Sequence, residues 1–251
     1  MIGIIGLGFV GSAVKNAYTE PILISDPAKH LFASYDNLRK CEAVFICVPS
    51  PSNSDGSCNT VILENVLDQI HGMEGVIISK VTAPPEVYHK LQITHPNLVH
   101  VPEFLVAATA DDDYKNETMT IIGGSSERHI EVARDVICRG QKKLHSIRIS
   151  TIEEAALTKY TLNTFLALKV AYLNQIYEYA MANNIDFSRV MDLATSDVRF
   201  GHSHTMVPGP DGKRGFGGAC FPKDCAALIA SAGNLSILAA AYKYNDTLRN
   251  A

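Results

Sequence analysis

Three glycines near the amino terminus constrain the fold of this chain more than any other feature. The apolar run Ile2–Ile5 predicts a buried strand. Directly after it, and before a helical stretch, come three glycines in the spacing GxGxxG, namely Gly6, Gly8 and Gly11. The first permits a tight turn, the second lets the backbone approach a pyrophosphate, and the third lets helix and strand pack closely. This order of elements predicts a dinucleotide-binding site.

Features beside the glycine loop favour NAD as the dinucleotide. Phe9 and Val10 lie within the loop, directly before the predicted helix Gly11–Tyr18, whose amino-terminal amides attract phosphate groups. Asp26 ends the second predicted strand, 20 positions after the first glycine of the loop. An acidic side chain there hydrogen-bonds the adenosine ribose and repels a 2′-phosphate. Val48 and Pro49 follow the third strand, at the edge that borders a cofactor crevice. A ligand-free glycine turn and a plain turn at Val48-Pro49 are the alternatives.

Composition and charge place the chain among ordinary globular proteins. Its 251 residues are 47% hydrophobic and 19% charged, and the net charge of −4 offers no attraction to nucleic acid or anionic membranes. Met1 leads directly into the first strand without a basic segment, and no apolar stretch is long enough to span a bilayer. The cysteines form no CxxC pair and show no zinc-ligand spacing. We therefore expect a cytoplasmic protein with reduced thiols and no metal site.

Predicted strands and helices alternate from Met1 to Ser150, which indicates a Rossmann-type, doubly wound parallel sheet with helices on both faces. The predicted strands are Ile2–Ile5, Ile22–Ser25, Val44–Val48, Val76–Val81, Leu98–Val101, Met119–Ile122 and Leu144–Ile149. The predicted helices are Gly11–Tyr18, Val61–Ile70, Glu86–Leu91 and Glu127–Ile137. Residues 1–150 are therefore assigned to an NAD-binding α/β domain.

The pattern becomes all-helical after Ser150, and residues 151–251 are predicted to form a second domain. No proline or glycine interrupts Thr151–Asn184, so one helix of about 30 residues is expected. Ser150 or Thr151 would cap it, with Glu153 and Glu154 in its first turn. So long a helix predicts a homodimer interface or a link between domains. The later predicted elements are the helix Phe187–Thr195, the glycine- and proline-rich loop Gly201–Pro222, and the helices Asp224–Ser231 and Ser236–Arg249.

The segment Gly215–Asp224 indicates a reactive thiol. Three glycines precede Cys220 in this segment, and Pro222 suits the first turn of a following helix. Helix amides and Lys223 are expected to lower the pKa of the Cys220 thiol and raise its thiolate fraction, as a nucleophile requires. A buried structural cysteine in a tight loop is the alternative, although packing alone rarely needs three glycines.

Lys159 and Asn163 lie four positions apart on the long predicted helix and therefore share one face. An ammonium and an amide together can stabilise an oxyanion at a carbon that a cysteine attacks. Without further signals, a solvated polar stripe is the simpler interpretation of this pair.

The motifs described above resemble those of the nucleotide-sugar dehydrogenases, which are typified by UDP-glucose 6-dehydrogenase. The resemblance covers almost the whole of this chain. The shared motifs appear in the family's order, and the cysteine loop is the most specific of them. They are the glycine loop, Val48–Pro51, Lys80–Pro84, Pro102–Leu105, Lys159-x-x-x-Asn163, Asp197-x-Arg199-Phe-Gly201 and Gly215–Asp224. The resemblance implies NAD as cofactor, a nucleotide sugar as substrate, and a homodimer built on the long helix.

The resemblance also implies a four-electron oxidation. In such enzymes the C6 alcohol of the sugar is oxidised twice, with two NAD⁺ and one water, and the default reaction converts UDP-glucose to UDP-glucuronate. By this resemblance Cys220 attacks the intermediate aldehyde to form a thiohemiacetal and then a thioester, which holds the intermediate between the two oxidations. Arg199 would reach a sugar bound in the neighbouring subunit.

The remaining roles are assigned by the same resemblance. Lys159 and Asn163 would stabilise the alkoxide and the oxyanion. Thr82 and Asp224 would position a water for proton transfer, and Glu103 would act as general base in thioester hydrolysis. The implied cofactor contacts are Gly6, Gly8, Phe9, Val10, Gly11, Asp26, Val48, Pro49 and Thr82. The implied substrate contacts are Glu103, Phe104, Leu105, Lys159, Asn163, Arg199, Phe216, Gly217 and Cys220.

Two departures separate the chain from the family pattern. Members usually carry a second glutamate four positions after the first, but Ala107 stands at that position here. Either Glu103 suffices or an acid–base step is impaired, with Asp111–Asp113 as nearby substitutes. The chain also stops at Ala251, so the family's second α/β domain, which binds UDP, is expected to be absent. A truncated form, a natural minimal form and a half completed by another chain all remain open.

Two other functions stay open. Ala107 and the expected missing domain favour a non-catalytic NAD-binding protein that dimerises through the long helix. A two-electron dehydrogenase of the β-hydroxyacid or 6-phosphogluconate type would share the glycine loop, the helical second part, Lys159 and Asn163. The cysteine loop argues against it, because a two-electron oxidation needs no cysteine nucleophile.

Overall fold

The computed structural model describes residues 1–143 and 146–250, and the chain divides into two compact units. The first comprises Met1–Pro51 and Cys58–Lys159. The second comprises Ser52–Ser57 and the chain from Tyr160 onward. The domain boundary predicted between residues 150 and 151 falls just before a long helix, whereas the two units divide within that helix.

Among its described residues the first unit contains one eight-stranded sheet. The strands are β1 (Ile2–Ile5), β2 (Ile22–Asp26), β3 (Leu31–Phe32), β4 (Ala43–Ile46), β5 (Val76–Ser79), β6 (Leu98–His100), β7 (Met119–Gly123) and β8 (Ser146–Ser150). Their order in the sheet is β3-β2-β1-β4-β5-β6-β7-β8. Every predicted strand is present, and the described strand ends differ from the predicted ones by at most two residues. Leu144, the predicted start of the last strand, lies outside the described residues.

The pairing confirms a mostly parallel sheet and adds two antiparallel contacts that the sequence did not predict. Strands β1, β2, β4, β5 and β6 pair in parallel, and so do β7 and β8. Strand β6 meets β7 antiparallel at His100 and Gly123, and the short β3 runs antiparallel to β2. Strand β7 is buried at four of its five residues, so its apolar run has the form expected of a parallel strand although it meets β6 antiparallel. The tight turn Pro27–Lys29 imposes the antiparallel return of β3.

Two apolar clusters bury the sheet on both faces. One contains Ile5, Val44, Ile46 and Ile77, and the other contains Ile2, Ile4, Phe45, Val76 and Ile78. Successive residues of a strand point to opposite faces, so uninterrupted apolar runs contribute to both layers. This confirms the predicted Rossmann-type, doubly wound α/β architecture followed by a helical part.

The helices of the first unit are α1 (Phe9–Ala17), α2 (Tyr35–Leu38), α3 (Val61–Gln69), α4 (Pro85–Thr94), α5 (Ala110–Asn116) and α6 (Glu127–Gly140). The sequence pattern did not predict α2 and α5, because both are too short to show an apolar period. Helix α2 is a single turn, capped by the Ser34 hydroxyl, which accepts from Asn37 N. Helix α5 opens with three aspartates, which the helix dipole favours in a first turn.

Helix α7 (Ile152–Ala182) begins in the first unit and continues into the second. Its 31 residues correspond to about 46 Å. Glu154 N donates to Thr151 Oγ1 at 3.2 Å, and Thr151 N donates to Glu154 Oε2 at 2.9 Å. This reciprocal pair is a capping box, which identifies Thr151 as the cap of the helix.

The second unit continues with α8 (Phe187–Ala194), α9 (Phe221–Ala232) and α10 (Ser236–Arg249). Helix α9 begins at Phe221, earlier than the predicted Asp224, because Pro222 fits its first turn. The unit has two apolar clusters, whose buried members are Ala167, Ala171, Phe216, Cys225 and Leu238 in one and Leu173, Ala180 and Phe187 in the other. In the described part of the chain, no helix is both long and apolar enough to cross a bilayer.

Replacing Thr151 with alanine should lower the free energy of unfolding by about 1 kcal/mol, because the hydroxyl that caps α7 is lost. Thr151→Ser keeps the hydroxyl and should unfold at nearly the wild-type urea concentration. Urea titration followed by circular dichroism measures both variants. Equal stability of Thr151→Ala and the wild type would show that the capping box contributes nothing.

Candidate active site

The glycine loop after β1 packs so closely that two of its positions accept only glycine. Gly6 has φ +89°, and a Cβ built on it would lie 2.7 Å from Cys47 O. A Cβ on Gly11 would lie 2.0 Å from Gly6 O. A Cβ on Gly8 would meet no described atom within 4 Å. Gly6 and Gly11 therefore close the turn, while Gly8 is the position where the backbone is open to approach by a ligand.

Helix α1 starts directly from this loop with its first amides uncapped by any described side chain. Gly8 is the N-cap, and Phe9 and Val10 are the first two helical residues. Gly8 and Phe9 are exposed, and Val10 is half-buried. Uncapped amides at a helix N-terminus carry partial positive charge and can bind phosphate oxygens. The loop therefore fits the pyrophosphate of a dinucleotide.

Asp26 ties the end of β2 to the glycine loop. Its Oδ2 accepts from Leu7 N at 2.5 Å, and its Oδ1 accepts from Lys29 N at 3.2 Å. Each carboxylate oxygen can accept a second hydrogen bond. The side chain is buried at the carboxyl end of its strand. Because its oxygens have acceptor capacity left, they can also accept a hydrogen bond from a ribose hydroxyl. The assignment of Asp26 to the ribose stays a prediction.

The turns after β4 and β5 are joined by a buried hydroxyl. Ser50 Oγ donates to the main-chain oxygen of Thr82 at 2.7 Å, and Cys58 Sγ lies 3.6 Å from the same oxygen. Thr82 is buried, Val48 is half-buried and Pro49 is exposed. Three predicted cofactor-binding residues of the first unit therefore lie in loops at the carboxyl edge of the sheet.

Glu103 and Lys159 form a buried ion pair within the first unit. Lys159 Nζ lies 3.2 Å from Glu103 Oε1 and donates to Glu103 O at 2.5 Å. Leu105 N donates to the other carboxylate oxygen at 2.8 Å, and the ammonium lies 5.3 Å from the Phe104 ring centroid. The side chains of the pair are only 5% and 7% exposed. Each charge therefore depends on the other, because an unpaired buried ion is costly.

Two buried basic side chains near this edge were not among the predicted site residues. Burial lowers the pKa of Lys80, and its ammonium lies 5.2 Å from the Tyr114 ring centroid. Burial also lowers the pKa of His100 to about 3, so its imidazole is neutral. His100 Nδ1 donates to Ser79 O at 3.0 Å, and its ring stacks on Tyr88. A basic residue at or directly after the end of an apolar strand was the signal in the sequence.

In the second unit a fully buried carboxylate joins an amide and an ammonium. Asn163 Nδ2 donates to Asp224 Oδ2 at 2.6 Å, and Lys223 Nζ donates to Asp224 Oδ1 at 2.6 Å. Asp224 has no exposed surface. The sequence-based expectation directed Lys223 toward the Cys220 thiol, but its ammonium is bonded to Asp224. Asn163 is therefore part of a buried network rather than of a solvated polar stripe.

Cys220 occupies the N-cap of α9 and is half-buried. The positive end of the helix dipole lies at this position, so a thiolate there is favoured. Two other cysteines are unsuited to nucleophilic chemistry, because burial raises the pKa of Cys47 and of Cys225 to about 12. The lowered pKa expected for the Cys220 thiol stays a prediction.

The loop that leads to Cys220 packs against the end of α10. Phe216 is buried, and its main-chain N–H and oxygen both bond to Asn245. A Cβ on Gly217 would lie 1.5 Å from Arg249 Nη2, so any larger residue there would displace the Arg249 side chain. Arg199 has a side chain that is 87% exposed and paired with Asp197. Its predicted role toward a neighbouring subunit stays a prediction.

Two of the three aspartates of α5 that were considered as substitutes for a glutamate at position 107 bond to neighbouring groups. Ala107 is exposed. Asp113 Oδ2 accepts from Val106 N and from Thr109 Oγ1, each at 2.9 Å, and Asp111 accepts from the Asn16 side chain. Both carboxylates are thus used in local contacts, which leaves Glu103 as the buried carboxylate of this segment.

The glycine loop gives a paired prediction. Gly8→Ala should fold with nearly wild-type stability and bind NAD at least about tenfold more weakly, because its methyl group lies where the pyrophosphate approaches. Gly11→Ala should lose about 3 kcal/mol of stability, because its methyl group overlaps Gly6 O. Thermal unfolding and NAD titration calorimetry measure the two effects. If Gly8→Ala bound NAD with wild-type affinity, the pyrophosphate could not lie against Gly8.

Comparison with solved structures relates the fold to known dehydrogenases. A UDP-glucose dehydrogenase from the archaeon Pyrobaculum islandicum matches with a TM-score of 0.85 and 23% identity over 98% of this chain and 68% of that one. The 3-hydroxyisobutyrate dehydrogenase of Mycobacterium tuberculosis matches with a TM-score of 0.77 and 16% identity over 98% of this chain and 92% of that one. At these identities the likeness shows a shared fold.

Sequence comparison resolves the family. YtcA of Bacillus subtilis is 31% identical over 230 residues, which is 84% of this chain and 52% of YtcA. The UDP-glucose 6-dehydrogenase of Pseudomonas aeruginosa is 28% identical over 212 residues, which is 78% of this chain and 46% of that protein. The chain thus spans about half the length of these relatives. The NAD binding domain of the UDP-glucose/GDP-mannose dehydrogenase family matches residues 24–139, and the family's central domain matches residues 153–247. The chain belongs to the UDP-glucose/GDP-mannose dehydrogenase family and carries its NAD-binding and central domains.

Proposed function

We propose that this chain acts in the NAD-dependent, four-electron oxidation of a nucleotide sugar at C6, with UDP-glucose as the default substrate. One observation carries the proposal beyond family membership. Two polar residues of α7 each bond to a buried carboxylate: Lys159 to Glu103 and Asn163 to Asp224. Ammonium, amide and carboxylate are the groups that this oxidation needs for oxyanion stabilisation and proton transfer.

The cofactor site uses the residues of the first unit. The amides of Phe9 and Val10 and the open backbone at Gly8 would hold the pyrophosphate. Asp26 would accept from the adenosine ribose, and its charge would disfavour a 2′-phosphate. Val48, Pro49 and Thr82 would line the crevice, each in a loop that follows a strand. When bound, NAD⁺ supplies the hydride acceptor for both oxidations.

In the first oxidation the C6 alcohol loses a hydride to the cofactor and a proton to a water. Thr82 and Asp224 would orient that water, and the amide of Asn163 and the ammonium of Lys159 would stabilise the alkoxide. Each donor is held by a hydrogen bond within its own unit before any substrate binds.

In the second oxidation the Cys220 thiolate adds to the C6 aldehyde and forms a thiohemiacetal. Loss of a second hydride converts this adduct into a thioester. Water, deprotonated by Glu103, then adds to the thioester carbon and displaces the Cys220 thiolate. The products are the uronic acid and two equivalents of NADH. Covalent attachment keeps the aldehyde from escaping between the two oxidations.

Substrate contacts and a dimer complete the proposal. Phe104, Leu105, Phe216 and Gly217 would line the sugar site, and Arg199 would contact a sugar bound by a second copy of the chain. Helix α7 offers a face for such a dimer, because several of its large apolar side chains are exposed. They are Leu162, Phe165, Tyr172 and Tyr179.

One observation favours a second candidate, an NAD-binding protein without the oxidative chemistry. Ala107 removes a carboxylate, and the aspartates nearest to it bond locally. Calorimetry separates the candidates: binding of NAD without binding of UDP-glucose, UDP-N-acetyl sugars or GDP-mannose would support the second.

Cys220→Ser should reduce the rate of uronic acid formation from the active nucleotide sugar at least about a hundredfold, because the second oxidation loses its nucleophile. The matched control is Cys138→Ser, which changes an exposed cysteine of α6 and should retain wild-type activity. Chromatography of the uronic acid product measures both. Near-wild-type turnover by Cys220→Ser would contradict the covalent mechanism and favour a two-electron dehydrogenase.

A variant slowed in hydrolysis should accumulate the covalent adduct. Glu103→Gln, mixed with NAD⁺ and the nucleotide sugar, should gain the mass of the acyl group on Cys220 in intact-protein and peptide mass spectrometry. Thermal unfolding must accompany this test, because the substitution leaves Lys159 without its carboxylate. A folded variant that binds NAD and the sugar but stays unmodified would exclude the thioester.

A further inference from the structure

The loop before Cys220 is held through its main chain by a buried asparagine of α10. Asn245 Oδ1 accepts from Phe216 N at 2.6 Å, and Asn245 Nδ2 donates to Phe216 O at 3.0 Å. Asn245 is 3% exposed. Its amide therefore pairs with both polar groups of one loop residue, as a neighbouring strand would. Such a bidentate contact fixes the orientation of the two peptide groups that flank Phe216.

A second buried asparagine holds the preceding residue from α7. Asn174 Oδ1 accepts from Gly215 N at 3.2 Å and from Arg214 Nε at 3.3 Å. Asn174 Nδ2 donates to Val170 O at 2.9 Å, which fixes the orientation of the amide. The side chain is 1% exposed. Two buried asparagines on different helices therefore bind consecutive main-chain N–H groups of the loop.

The fit around these amides is tight enough to select a loop conformation. Gly215 has φ +73°, and a Cβ on it would lie 2.4 Å from Asn245 Oδ1. Phe216 O also accepts from Arg249 Nε at 3.1 Å, and Arg249 pairs with Asp211 at 2.7 Å. The Phe216 side chain is already anchored in an apolar cluster. The asparagines therefore add control of peptide orientation, which apolar packing alone does not provide.

We infer that Asn174 and Asn245 are positioning residues that hold the loop Gly215–Cys220 in the geometry that the thiol requires. This inference rests on the proposed function of Cys220 as nucleophile. A neutral amide supplies donor and acceptor together without adding a charge beside the thiol. Because both asparagines are buried on helices, the ordering of the loop is completed before substrate binds, as supporting residues of an active site require.

The test compares Asn245→Ala with Asn183→Ala, which removes an exposed asparagine side chain near the end of α7 in the same unit. In Asn245→Ala the Phe216 amide should exchange hydrogen at least about tenfold faster, because its acceptor is lost. The pH profile of Cys220 alkylation by iodoacetamide should move to higher pH, because the loop no longer holds the thiolate at the helix N-terminus. Alkylation of Cys138 in the same protein is the internal reference.

Asn174→Ala guards against misfolding of the alanine variant at position 245. It removes the contacts to Gly215 and Arg214 but leaves both bonds between Asn245 and Phe216, so a smaller shift in the same direction is expected. Unchanged exchange, or faster exchange with an unmoved alkylation profile, would overturn the inference. Neither measurement requires turnover. A shifted profile in a protein that oxidises no nucleotide sugar would support the positioning role and count against the proposed function.

Discussion

Burial of the parallel strands on both faces determines where the first unit can place polar chemistry. Apolar side chains fill both layers of the sheet, so polar groups are found where strands end and the chain turns. The glycine loop follows β1, Asp26 is the last residue of β2, Thr82 follows β5 and Glu103 follows β6. Burial then makes pairing necessary: Asp26 accepts from the loop main chain, and Glu103 meets Lys159.

In the second unit the buried polar groups lie at helix ends instead of strand ends. Asp224 lies in the first turn of α9, where the helix dipole favours a carboxylate, and Asn163 and Lys223 satisfy its two oxygens. Because Lys223 bonds to this carboxylate, the activation that we propose for Cys220 relies on the amino-terminal end of α9 and on the hold of Asn174 and Asn245 on the loop. In this proposal two neutral amides position the thiol, whereas the sequence had suggested that Lys223 would lower its pKa.

Local patterns in the sequence were sufficient for much of the fold. Apolar runs located the strands, GxGxxG located the turn into α1, and the cap candidates Ser150 and Thr151 located the start of α7. The parallel direction of most strands followed from their alternation with helices, but the antiparallel contact between β6 and β7 left no signal in the sequence. The roles of Lys80, Asn174 and Asn245 were also not readable. A buried polar residue looks like a surface residue in a helical or strand pattern until its distant partner is known.

The central claim is that one covalent intermediate links two oxidations. The most direct test is the ratio of NADH formed to nucleotide sugar consumed, measured on the wild-type chain by absorbance and by chromatography of the same samples. The account predicts two NADH for each sugar converted to its uronic acid, with no free aldehyde accumulating. A ratio of one, with an aldehyde or ketone as the final product, would contradict it.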